Sequence, residues 1–373
     1  SDVYKALNDG KKFVIAQIAP SVRSSIGEEF GMKPGSIVTK KVVSALRQVG
    51  FDSVMDTSTG ADFTIMEEAT ELVKRLKDRR EGKKTALPMF TSCCPAWVNY
   101  VESFHPELIE NLSTSKSPYQ MLGSVIKTYY AKKMELWDGD IVVVAVMPCT
   151  AKKQEAKRIE HKIGKIPAVD HVLTVREAAK MIRESGIELS KIPDDEFDQL
   201  LPTASGSGQI FGASGGVMEA SLRTAEYILT GETKKERLKL NEVRGMKGIK
   251  KAEYKIGKET VRVAVVNGSG NVENMLSMIK NGEIDADFVE VMACPGGCVG
   301  GGGQPIPTSR KIIEERAKGL YSIDEKSEIR CAHENPALNS AYESFFGEPG
   351  GENAEKLLHT SYRAKKKYNF RQN

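Results

Sequence analysis

An α/β fold with mainly parallel sheets flanked by helices is predicted by three observations. Short apolar runs rich in β-branched residues recur along the chain, each ends at a breaker, and helical patterns lie between them. The runs cover residues 13–19, 141–147, 261–266 and 288–293. They close at Pro20, Pro148, Asn267-Gly268 and Cys294-Pro295-Gly296. Near-continuous apolar strands suit a sheet covered on both faces. Helical spacing marks residues 37–49, 63–79, 117–136, 175–185 and 216–229. The 373 residues allow two domains, or one domain of two lobes, and a sizeable core.

Composition narrows the function classes. Hydrophobic residues make up 40% and charged residues 28%, as in an ordinary globular chain rather than a disordered or fibrous one. The longest continuous apolar run, 141–147, is far short of the roughly 20 residues that span a bilayer, and no secretory leader is visible. No membrane association is expected. The net charge of +4 lacks a concentrated basic stripe, so no nucleic-acid partner is expected either. The run Arg363-Ala-Lys-Lys-Lys reads as a solvated tail.

Six cysteines stand at 93, 94, 149, 294, 298 and 331. They are too few and too uneven for a disulfide scaffold, and five fall in three short segments rich in Pro, Gly or Ser. That pattern points to a reduced compartment, here the cytoplasm, and to a soft-metal site. Cys149 and Cys294 each follow a predicted strand closely, and Cys93-Cys94 follows the apolar stretch 86–90. Ligands gather beyond the carboxyl ends of parallel strands, so the segments are expected to converge on one sheet edge. Four thiolates from Cys94, Cys149, Cys294 and Cys298 suit zinc or an iron–sulfur cluster. Ligands so scattered are less like a zinc ribbon than like a cluster in a large core. The glycines 300–303, directly after Cys298, would let backbone approach a bulky inorganic group. The glycines of 212–216 and 267–270 read as tight turns.

Three segments are more specific than spacing. Thr91-Ser-Cys-Cys-Pro-Ala-Trp97, Met147-Pro-Cys-Thr-Ala-Lys-Lys-Gln-Glu155 and Glu290-Val-Met-Ala-Cys-Pro-Gly-Gly-Cys-Val-Gly-Gly-Gly-Gly-Gln-Pro305 resemble, in order, the signature segments of the FeFe hydrogenases. The resemblance extends from Ile18-Ala-Pro-Ser-Val-Arg23 to Leu357-Leu-His-Thr-Ser-Tyr362. It implies a single catalytic domain over 1–373, built as two α/β lobes with an H-cluster in the cleft between them. That cofactor is a four-iron cubane linked through a cysteine sulfur to a two-iron unit carrying carbon monoxide, cyanide and a dithiolate with a central amine. By motif position Cys94, Cys149, Cys294 and Cys298 hold the cubane, and Cys298 bridges. Lys152 matches the lysine at one cyanide; Pro20 and Ser21 match the segment at the other. Met147 and Met292 match methionines flanking the two-iron unit, and Phe211 reads as a shield.

Hydrogen chemistry at a buried metal needs a proton route. Cys93 resembles the family cysteine that passes a proton to the dithiolate amine. Ile65-Met-Glu-Glu-Ala-Thr-Glu-Leu72 resembles the proton-path segment. From pattern alone, its glutamates would be solvated. By position Glu68 and Glu71 match the two carboxylates and Ser113 the hydroxyl between them, so the relay expected is Glu71, Ser113, Glu68, Cys93. No cysteine precedes Cys93, so no N-terminal ferredoxin-like domain is expected in this chain. Electrons would come from ferredoxin, another low-potential carrier or a partner subunit. Maturation proteins would insert the two-iron unit, and the C-terminal run to Tyr368 is similar to modules of larger assemblies. Cys331 reads as structural. Rival readings are an iron–sulfur assembly protein, which generally lacks the tandem cysteine and the lysine, a hydrogen sensor, and a zinc-binding interaction protein.

Overall fold

Each of the four apolar runs forms a strand, and four further strands join them in the computed structural model, which describes residues 2–198, 201, 204–257 and 259–365. The strands are β1 (Phe13–Ile18), β2 (Ser53–Asp56), β3 (Met89–Phe90), β4 (Ile141–Met147), β5 (His171–Thr174), β6 (Ile249–Ile256), β7 (Glu259–Asn267) and β8 (Phe288–Met292). They make two four-stranded sheets. The first has the order β2-β1-β4-β5 and is parallel throughout. The second has the order β3-β8-β7-β6, with only the β6–β7 pair antiparallel. β1, β4 and β8 are buried almost end to end, as near-continuous apolar strands require. β6 alternates buried and exposed positions because it is an edge strand with one face in water.

The helix predicted over 63–79 runs Thr57–Arg80. Asp56, the last residue of β2, caps it by accepting a bond from the Ser58 amide at 2.8 Å. Its first turns, Thr-Ser-Thr-Gly-Ala-Asp, carry no apolar stripe because small residues are needed there. A Cβ added at Gly60 would strike the Pro118 carbonyl oxygen of the helix Pro118–Val125. The helix is buried through Val73, and Asp62, Glu67 and Glu68 are buried with it. The helix predicted over 117–136 is broken instead by a wide π turn, Ile126–Tyr130. This places the Lys127 ammonium against the Ile141 carbonyl and 3.1 Å from Asp170.

A buried charge cluster joins the C-terminal part of the chain to the rest. Arg223, on the helix Gly216–Thr230, pairs with Glu219 at 2.5 Å and with Asp324, on the helix Arg310–Lys326, at 2.9 Å. All three side chains are fully buried. Cys331 lies near this cluster, buried and unpaired by any disulfide, with its thiol raised to about 12 by burial. Without Arg223, Glu219 keeps Arg244 and Asp324 keeps Arg330, so each buried carboxylate loses one of its cationic partners at a cost of about 1–3 kcal/mol. Arg223→Met is therefore expected to lower the urea-unfolding free energy by that order, and a loss under about 1 kcal/mol would contradict the account.

Candidate active site

The cysteine segments converge from two sheets, not along one edge. Cys149 follows β4 of the first sheet; Cys93-Cys94 and Cys294 follow β3 and β8 of the second. The carboxyl ends of both sheets open onto one cavity with about 730 Å³ of empty space. Cys93, Cys94, Cys149, Cys294 and Cys298 all line it. So do Pro20, Ser21, Met147, Lys152, Phe211 and Met292. Met147 and Met292 are the last residues of β4 and β8, and Pro20 and Ser21 open the short turn Pro20–Val22 after β1.

Gly301 lines the cavity, and the glycines after Cys298 also make room for main chain. A Cβ at Gly301 would strike the Pro148 carbonyl oxygen, and one at Gly303 would lie 2.9 Å from the Pro148 carbonyl carbon. These residues therefore let one ligand loop lie against the backbone of another. Gly297, at φ +88°, would bring a Cβ to 2.7 Å from the Ser214 amide nitrogen. Arg316 completes the anchoring: its guanidinium holds Glu28 at 2.7 Å and donates to the Val299 and Pro305 carbonyls at 3.0 and 3.2 Å. The turn reading of Gly215 holds, since it sits at φ +89° before the helix Gly216–Thr230.

Burial, and after it the nearby Cys94 and Cys149, raises the Cys294 thiol to about 11. Cys298 is pushed still higher by burial, then by Cys149, Cys94 and Cys294. Four mutually repelling thiols need a positive group among them to ionise together. Among the described residues, no three His, Cys, Asp or Glu side chains close on a single ion. The donor set fits a body larger than one zinc. Ser21 Oγ is buried without a hydrogen-bond partner, so an acceptor in the cavity would satisfy it. Lys152 Nζ donates to the Cys93 carbonyl at 2.9 Å and to Glu155 at 2.8 Å, and lies 4.6 Å from the Tyr119 ring centre. An ammonium has three donors, so one remains for the cavity. Burial opposes its charge, but Glu155, together with Cys149 and Cys93, holds its pKa above the usual value.

Glu68, Glu71 and Ser113 lie outside the cavity wall. Ser113 Oγ donates to Glu71 at 2.8 Å, and the Thr114 amide donates to the same oxygen at 3.0 Å. Glu68 is buried, not solvated: burial, then the Glu71 charge, raises it to about 8, while the bond from Ser221 favours its charged form. Its Oε2 accepts from Ser221 at 3.3 Å, and its Oε1 has no partner. Cys93 is raised well above 9 by burial and then by Glu68, which places the two groups within electrostatic reach. Two residues escaped sequence reading. Arg75 pairs with Glu71 at 2.6 Å, one helical turn on, a spacing that could have been noticed. Ser221 comes from a distant helix and carried no signal.

Residues 12–302 match the family described as iron only hydrogenase large subunit, C-terminal domain. The chain belongs to the iron-only hydrogenase family. Residues 310–365 match a second description, iron hydrogenase small subunit. Among curated hydrogenases, iron hydrogenase 1 of Clostridium pasteurianum is 45% identical over 97% of this chain and 63% of its own length. The NADP-reducing hydrogenase subunit HndD of Solidesulfovibrio fructosivorans is 44% identical over 97% of this chain and 62% of its own. The chain thus spans about six-tenths of the length of these relatives. A solved structure of the FeFe-hydrogenase HydA1 from Chlamydomonas reinhardtii superposes with TM-score 0.87 at 40% identity, covering 98% of this chain and 99% of that one. Proteins named for cytosolic iron–sulfur assembly are similar at a lower level, such as the Bos taurus component 3 at 31% identity over 97% of this chain and 76% of its own.

In this hydrogenase-family chain the protonation of Glu68 is linked to folding. The folded chain keeps a proton up to about pH 8 that an ordinary carboxyl loses near 4.5. Between those values the unfolded state binds fewer protons, so Glu68 destabilises the fold increasingly as pH rises. Glu68→Gln is expected to melt higher than the parent at pH 8 and level with it at pH 4. A lower melting temperature at pH 8 would show that Glu68 is charged when folded.

Proposed function

We propose that the chain is the catalytic unit of an FeFe hydrogenase, interconverting two protons and two electrons with hydrogen. The single observation that carries this reading is the shared cavity, where four partly buried ligand cysteines, a fifth and buried thiol, an ammonium and an unsatisfied hydroxyl face one space. Cys94, Cys149, Cys294 and Cys298 would hold the cubane of an H-cluster, with Cys298 also reaching the two-iron unit. That group supplies the electron storage and the hydrogen binding. The protein supplies everything around it. Lys152 and Ser21 offer donors to anionic cyanide ligands. Met147, Met292, Phe211 and Pro20 present apolar surface that keeps water out and adds no competing strong ligand.

Cys93 acts as the inner proton carrier. Its raised pKa keeps the proton on sulfur until an acceptor in the cavity takes it. Glu68, near neutrality at about 8, reloads it. Ser113 and Glu71 connect Glu68 to the outside, with Arg75 fixing Glu71. Electrons come from ferredoxin or another low-potential carrier, or from a partner subunit, a role in keeping with the relative named as a hydrogenase subunit. Maturation proteins load the two-iron unit. The six free cysteines suit the cytoplasm. Among the described residues no helix is long and apolar enough to cross a membrane.

Anaerobically matured protein is expected to show metal-bound carbonyl and cyanide infrared bands and to evolve hydrogen from a reduced carrier. Iron without those bands after maturation would favour an assembly protein instead. Cys93→Ala is expected to keep the bands while turnover falls by about 100-fold or more, as loss of a positioned proton carrier does; full turnover with an intact cluster would refute the relay. Cys149→Ala is expected to fall below the roughly four irons per chain of a reconstituted cubane, measured by iron analysis.

A further inference from the structure

The C-terminal segment that matched the small-subunit description lies against the relay. Residues 112–116, which carry Ser113, form a short extended stretch stitched on both sides. On one side Leu112 bridges Phe90 of β3, and the Ser113 amide donates to the Phe90 carbonyl at 2.8 Å. On the other, Ser115 bridges His359, the Lys116 amide donates to Leu358 at 3.0 Å, and the Thr360 amide donates to Thr114 at 2.8 Å. Side chains reinforce this seam. Tyr362, from the same segment, donates its hydroxyl to the Ser113 carbonyl at 3.1 Å. His359 Nδ1 meets the Thr114 hydroxyl at 2.7 Å, and its Nε2 meets Glu67 at 2.9 Å. Glu67 neighbours Glu68 and sits one turn from Glu71 on the helix Thr57–Arg80, held further by the Gly350 amide at 2.7 Å.

We propose that His359 and Tyr362 are positioning residues for the proton relay, clamping the strand of Ser113 to the helix of Glu68 and Glu71. The inference rests on the relay reading above. A relay tolerates little change in its heavy-atom spacing, because proton transfer needs hydrogen-bond reach. The two contacts that set the Ser113–Glu71 spacing, Ser113 Oγ and the Thr114 amide on one carboxylate oxygen, lie on the clamped stretch. The His359 ring hydrogen-bonds to both the stretch, at Thr114, and the helix, at Glu67. It touches no residue of the cofactor cavity wall, so its loss acts on proton delivery and spares the metal site.

The test compares His359→Ala and His359→Gln with the parent, using hydrogen–deuterium exchange across residues 112–117 and turnover of matured protein in light and heavy water. His359→Ala is expected to speed exchange at the Thr114 amide about tenfold. Turnover is expected to fall about tenfold with a larger solvent isotope effect, while the infrared bands stay in place. His359→Gln, which keeps a donor, is expected to recover most of both. Should His359→Ala not fold, Tyr362→Phe removes a single oxygen and is expected to move the same readouts in the same direction. Unchanged exchange, or unchanged turnover with faster exchange, overturns the proposal. Ser113→Ala and Glu71→Gln separate the two layers. If both turn over at full rate, the relay itself is wrong and the clamp falls with it; if they are slow and the clamp variants are not, only the clamp is wrong.

Discussion

Thiols that face one another out of water cannot all carry charge unless something positive sits among them. The arrangement of this protein follows from building such a place. Two sheets are set so that the carboxyl ends of β1, β4, β3 and β8 open on the same cavity. Every ligand stands just past a buried strand end or in the loop that follows one, where position is set by a hydrogen-bonded ladder rather than by a mobile connection. The loop carrying Cys294 and Cys298 is longer, and it is fixed by contact. Its glycines rest on the Pro148 backbone, Asn267 accepts from the Gly296 amide at 2.6 Å, and Arg316 pulls its far end toward Glu28.

Charge elsewhere in the interior is handled in two contrasting ways. Lys152 with Glu155, and Arg223 with Glu219 and Asp324, are neutralised pairs in which attraction offsets desolvation. Glu68 is not paired with a cation. It has one weakly held oxygen and one with no partner, and it lies close to a second carboxylate. Such a group holds its proton near neutrality and gives it up readily. One helix turn therefore carries Glu67, locked in place by His359, and Glu68, left poised.

Much of the fold was legible because burial on both faces leaves little choice of residue. Val142–Val146 and Phe288–Val291 could hardly be anything but inner strands. The strands missed were of two kinds. β2, β3 and β5 have four residues or fewer, too few for a pattern, and β6 alternates because it is an edge. The start of the long interior helix was hidden for a different reason. Thr57 to Asp62 lack large apolar residues, Gly60 among them leaves room for the Pro118 carbonyl, and smallness has no period. In the site, the cysteines and their motif neighbours were readable, since chemistry restricts them strongly. Ser221, His359 and Tyr362 were not, because each matters through a partner far away in sequence. The glycines of 300–303 have a second role that spacing did not show: they also make room for another stretch of main chain.

The scattering of the ligands has a consequence for how the molecule is made and lost. Cys94 and Cys298 bracket more than half of the polypeptide, and the loop of Cys298 is tethered by a residue later still. A ribosome-bound nascent chain cannot assemble the full grip until Cys298 and Arg316 have both emerged, so loading follows folding. Once loaded, the metal body acts as a long-range staple across both sheets, with stability linked to its occupancy. Local opening of either sheet would release it, and an unfolding scan of the holoprotein would record metal loss and collapse of the fold as one irreversible event.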